Sequence, residues 1–115
     1  RYTNREYAAS IPAQVSAVTG DHFDLNEKKY LVVSTNKEAV DSYLVGYVGK
    51  YYLFSPNVDG RENFLLSDAD FRTLLKQYDE VVVLEEHYTF NAMTMKLTGK
   101  TFAPGVYSVA EVLGR

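Results

Sequence analysis

The stretch that most constrains the fold is Ser67 to Glu86, SDADFRTLLKQYDEVVVLEE, because the hydrophobic period changes inside it. Ser67 and Asp70 resemble a capping box with Asp in the Glu position, and Phe71, Leu74, Leu75 and Tyr78 then recur at helical spacing. After Asp79 and Glu80 the pattern becomes an unbroken Val81, Val82, Val83, Leu84, the β-branched run of a strand covered on both faces. A strand buried on both sides requires helices above and below its sheet, so this one passage predicts an α/β domain.

The remaining segments can be placed around it. Lys29 to Ser34 (KYLVVS) is a second buried strand and the natural neighbour of Val81 to Leu84. Thr35 to Glu38 reads as a capping box, and Val40, Tyr43, Leu44, Tyr47 and Val48 follow at helical spacing toward a stop near Gly49. Lys50 to Ser55 is an aromatic strand, closed by a turn over Pro56-Asn57-Val58-Asp59-Gly60. Over Tyr88 to Gly99, Met93, Met95 and Leu97 alternate as in a strand, whereas Phe90, Met93 and Leu97 suit a helix started at Asn91 and stopped by Gly99, the reading a crossover favours; Gly105 to Val109 is a last strand, and Ala110 to Leu113 either pairs once more or frays. Arg1 to Gly20 is a lead-in with a short helix from Pro12. The expected fold is a three-layer sandwich, with a small, mostly parallel sheet of about four strands and helices on both faces. Residues 1–115 form one domain, with a lead-in over 1–27 and a core over 28–109.

Composition narrows the function. The chain of 115 residues is long enough to bury about two-thirds of the surface its unfolded form exposes. It has no cysteine, which excludes disulfide frameworks, thiolate nucleophiles and cysteine-containing zinc sites. With a net charge of -3 and interspersed charges, nothing predicts a track for a phosphate backbone, and nucleic acid is not an expected partner. The loop after the first strand, Ser34-Thr35-Asn36-Lys37, lacks the glycines of a phosphate or dinucleotide site, and no G-x-S-x-G occurs. No cofactor, metal or catalytic residue is expected in this segment. No stretch approaches the ~20 apolar residues of a membrane span. The chain opens on Arg1 rather than Met, has no secretory signal and ends at Gly114-Arg115, which reads as a segment of a longer protein.

Three groups of residues could bind a ligand. Tyr43, Tyr47, Tyr51 and Tyr52 read either as a stacking surface, where ring face and hydroxyl act together on a sugar or base, or as a helix and strand packed with their hydroxyls at the boundary. Glu85, Glu86 and His87 fall at the carboxyl end of a strand, the edge where α/β sheets hold ligands, and could do acid and base work; neighbouring strand residues point to opposite faces, so a solvated strand end is the alternative. Asp21-His22-Phe23-Asp24 is either a surface loop with Phe23 tucked inward or part of a cation site completed from elsewhere.

Taken together, the KKYLVVS strand with its helix and the tyrosine-rich SYLVGYVGKYYLFS, the QYDEVVVLEE passage and the closing PGVYSV resemble a known domain. It is the soluble C-terminal extracytoplasmic domain of bacterial multi-spanning membrane glycosyltransferases of the protein-mannosyltransferase-like class, and the similarity covers about Lys28 to Val109. The resemblance implies a small α/β domain on the outer face of the cell membrane. Its partners would be the membrane-embedded part of the same chain and a lipid-linked sugar or glycan acceptor. The catalytic acids of that class lie in loops between membrane helices, so none is carried onto this segment. An independent carbohydrate or small-molecule binding module using the tyrosine-rich surface is the alternative.

Overall fold

A computed structural model describes residues 13, 15–18, 20, 24–35, 37–47, 49–54 and 67–114. Residues 13 and 15–18 are helical. There follow β1 (Tyr30–Val33), α1 (Lys37–Tyr43), a 3₁₀ turn (Val45–Tyr47), β2 (Tyr51–Phe54), α2 (Asp68–Leu75), β3 (Glu80–Val83), α3 (Tyr88–Thr98), β4 (Gly105–Ser108) and α4 (Val109–Val112). The turn expected over Pro56 to Gly60, and Pro12 and Asp21 to Phe23 of the amino-terminal segment, lie outside the described residues.

The sheet order is β2-β1-β3-β4. The two valine-rich strands are its centre and run parallel, Val32 beside Val82 and Val33 beside Val83, while β2 pairs parallel with the other side of β1. Strand alternation then divides the core in two. Leu31, Val33, Phe54, Val81 and Val83 face Phe71 and Leu75 of α2, Phe90 of α3, and Val109 and Val112. Tyr30, Val32, Val82 and Leu84 face the opposite layer, made by Ala39 and Val40 of α1, Leu44, and Val15 of the amino-terminal helical residues. The three layers of an α/β sandwich are therefore present, with helices on both faces of a mostly parallel four-stranded sheet.

Local signals set most element ends. The Ser67 side chain accepts from the Asp70 amide at 3.1 Å and caps α2, as its spacing predicts. Helix α3 starts three residues before Asn91, capped by His87, and stops at Gly99 in the left-handed conformation, φ 76°. The helix after β1 is shorter than its periodicity suggests: α1 ends at Tyr43 and tightens into the 3₁₀ turn before Gly49, φ 88°.

Two features depart from the expectation. Strand β4 is antiparallel, Gly105 opposite Val83 and Ser108 opposite Glu80. The reason is the path after α3. Thr94 Oγ1 donates to the Lys100 carbonyl at 2.8 Å and Asn91 Oδ1 accepts from the Phe102 amide at 3.0 Å, so the chain turns back along α3 toward its start and enters β4 at the carboxyl edge. The tail neither pairs nor frays but forms α4, because the Ser108 hydroxyl accepts from the Glu111 amide at 3.0 Å and Val109 and Val112 bury on the sheet.

The Pro-Gly-Val-Tyr entry to β4 has a packing cause. Tyr107 folds back so that its hydroxyl donates to the Ala103 carbonyl at 2.6 Å, and a Cβ on Gly105 would meet that phenol oxygen at 3.1 Å. Gly105→Ala is expected to lower stability by about 1–3 kcal/mol through this overpacking, as measured by urea unfolding; an unchanged midpoint would show that the Tyr107 ring can move aside.

Candidate functional site

In an open α/β sheet the place to look is where consecutive crossovers leave one strand in opposite directions, since the diverging loops open a crevice at the carboxyl ends. Here β1 lies between β2 and β3, so that crevice is bounded by Ser34 and Thr35 after β1 and by Leu84 to His87 after β3. A side chain of the protein itself spans it. Glu85 Oε1 accepts from the Ser34 hydroxyl at 3.3 Å, from the Thr35 amide at 2.6 Å and from the Thr35 hydroxyl. Because Ser34 is fully buried, the carboxylate satisfies a hydroxyl that has little access to water while tying the two loops together.

The three adjacent candidates Glu85, Glu86 and His87 diverge. Glu85 reaches across to the first loop, Glu86 is exposed, and His87 turns into the core, where it is 1% exposed. The His87 Nδ1 accepts from the Phe90 amide at 3.0 Å, and the ring stands edge-on to Phe54 with centroids 5.5 Å apart. Phe54 in turn meets Phe71 at 6.0 Å and Phe90 at 5.4 Å, both edge-on, so the imidazole closes one side of an aromatic cluster. Burial holds the His87 pKa below the usual imidazole value, against the opposing pull of the Glu85 charge and of a backbone hydrogen bond.

The tyrosines are placed by the same alternation. Tyr51 faces the α1 layer and donates its hydroxyl to Asp41 Oδ1 at 2.8 Å; burial, then that bond and the Asp41 charge, hold the phenol above its ordinary pKa. Tyr52 points to the opposite layer and packs against Tyr78 at 6.2 Å. Tyr43 and Tyr47 are 43% and 37% exposed. Tyr51 and Tyr52 are thus separated by the sheet, and no single surface presents all four rings.

Ser34 and Thr35 are the residues that reading the sequence left out of the site. Their signal was position alone, the loop that follows the first buried strand. Asp24 belongs to a local turn: its carboxylate accepts from the Asn26 amide at 3.1 Å and its own amide donates to the buried Tyr30 hydroxyl at 2.9 Å. Among the described residues no three His, Cys, Asp or Glu side chains gather as metal ligands would. The interaction seen at this edge is a hydrogen-bond clasp from Glu85 to the Ser34-Thr35 loop, with the Glu86 carboxylate exposed beside it.

Replacing Glu85 with Ala leaves the Ser34 hydroxyl and Thr35 donors without that acceptor, and is expected to cost about 1–3 kcal/mol in denaturant unfolding. Faster hydrogen exchange at the Thr35 amide should accompany the loss; unchanged exchange there would mean that the clasp does not hold the loop.

Comparison with protein-family models, with curated proteins and with solved structures finds no match to this chain.

Proposed function

We propose that this chain is a non-catalytic extracytoplasmic accessory domain of a bacterial membrane protein, a glycosyltransferase of cell-envelope glycan assembly. Its first partner is the membrane-embedded part of the same chain, and its second is a lipid-linked sugar or glycan acceptor. The observation that carries the non-catalytic part is the state of the carboxyl edge: Glu85 is engaged by Ser34 and Thr35, and His87 is engaged as a helix cap inside the core. A general acid or base must reach a substrate proton, and these two groups are turned to the fold instead.

The membrane and glycan parts rest on the resemblance, and its motifs have structural duties. Tyr78-Asp79 closes the amino edge, where the Asp79 carboxylate accepts from the Lys29 amide at 2.9 Å and the Asp79 amide donates to the Lys29 carbonyl at 2.9 Å. Pro104-Gly105-Val106-Tyr107 makes the entry to β4. Such motifs speak for a scaffold that an enzyme carries rather than for its chemistry. Among the described residues no helix is long and apolar enough to cross a membrane, so anchoring is assigned to the rest of the parent chain. The second reading, an independent carbohydrate module, keeps only Tyr43 and Tyr47 as exposed rings of the original four.

The absence of cysteine makes the topology directly testable. With Lys76→Cys, an exposed position just after α2, introduced into a full-length protein whose cysteines outside this segment have been replaced by Ser, a membrane-impermeant maleimide should label intact cells. Labelling that requires opened membranes would overturn the extracytoplasmic assignment. In the same protein Glu85→Gln should leave the kcat of glycosyl transfer within about twofold, whereas a loss of the 10²–10⁴-fold size that general acid–base groups contribute would make this edge catalytic.

A further inference from the structure

His87 holds the start of α3 through a bond that only one protonation state can make. An imidazole that accepts at Nδ1 is neutral and carries its hydrogen on Nε2, whereas imidazolium has donors at both positions and no acceptor. The acceptor is used, by the Phe90 amide at 3.0 Å. The donor is not: Nε2 is buried without a hydrogen-bond partner among the described residues, which is unusual for a native side chain. The ring is 1% exposed and lies edge-on to Phe54, so a charge on it would be cut off from bulk solvent in largely apolar surroundings.

We propose that His87 is a proton-operated latch: neutral, it caps α3 and completes the aromatic cluster, and protonated, it can do neither, so that the first turn of α3 is released from the sheet end.

The surroundings support the direction of this response. Strand β2 presents Phe54, the first turn of α3 presents Phe90, and Phe71 of α2 packs behind both, none of them charged. The loop after β1, with the uncharged Ser34 and Thr35, holds the Glu85 carboxylate at this end of the sheet. Glu85 is the anion that acts on the imidazole, and Glu86 beside it is exposed. Burial outweighs the Glu85 attraction, so the pKa in the closed form lies below the ordinary 6.5. The open form therefore binds the proton more tightly. The closed turn is fully stable above about pH 6.5 and loses stability as the pH falls below it, down to the closed-form pKa. The response is local because the rest of α3 is tied elsewhere, Thr94 to Lys100 and Asn91 to Phe102.

Amide hydrogen exchange followed by NMR between pH 7.5 and about 5 tests this. After correction for intrinsic rates, protection of the Phe90 amide should fall by up to about tenfold per pH unit below 6.5, while Val82 at the centre of the sheet keeps its protection. His87→Asn, which keeps a capping oxygen but cannot titrate, should remove the dependence. The latch is overturned if Phe90 protection does not change with pH, or if Phe90 and Val82 lose protection in step, which is global unfolding. Should the Asn variant not fold, the imidazole of the native chain decides: it has two histidines, and a His87 pKa at or above 6.5 would sink the idea.

Discussion

The parallel pairing of β1 with β3 is the contact on which the other elements depend. Neither strand can satisfy its backbone without a neighbour, and neither can expose a face, because Tyr30 to Val33 and Val81 to Val83 are buried on both. Covering both faces requires two helical layers, and parallel direction requires that each return passes over the sheet. The amino edge of the pair is bonded between Lys29 and Asp79, and the carboxyl edge between the Ser34-Thr35 loop and Glu85. The central pair is thus closed at both ends by carboxylates that the chain itself supplies.

That closure bears on function. In a ligand-binding α/β domain, loop amides at the carboxyl edge are left for the ligand. Here an internal carboxylate takes the Thr35 amide and hydroxyl, and the nearby imidazole is drawn inward to cap α3 and face Phe54. At this edge the described side chains of Glu85 and His87 hold a loop and a helix start in place. The His87 cap there, with its acceptor nitrogen engaged and its Nε2 without a partner among the described residues, is the latch we propose to be sensitive to a proton.

The aromatic layer shows how far packing refines the arrangement. Phe54, Phe71 and Phe90 come from three elements and meet edge-on at 5.4 to 6.0 Å, and Phe102 and Tyr107 continue the series at 4.9 Å. Phe102 enters this series because its amide is held by Asn91, and the same bond directs the chain into an antiparallel β4. One side-chain amide therefore contributes both to core packing and to strand direction.

The sequence by itself determined whatever depends on short-range pattern. The valine runs marked the buried strands, Ser67 and Gly99 marked helix ends, and the change of period at Asp79 marked the passage from α2 to β3, because each signal acts over a few residues. Two outcomes differ from the sequence expectation although their signals are local: the Ser108 hydroxyl caps α4 where a pairing or frayed tail was expected, and Tyr51 and Tyr52, read as parts of one surface, part to opposite faces. Only the tertiary structure decided the direction of β4, the Glu85 clasp across 50 residues to Thr35, and the inward turn of His87. Each rests on groups far apart in the chain or on burial created by the assembled layers, and none of the three can be read from the spacing of residues along a single strand or helix.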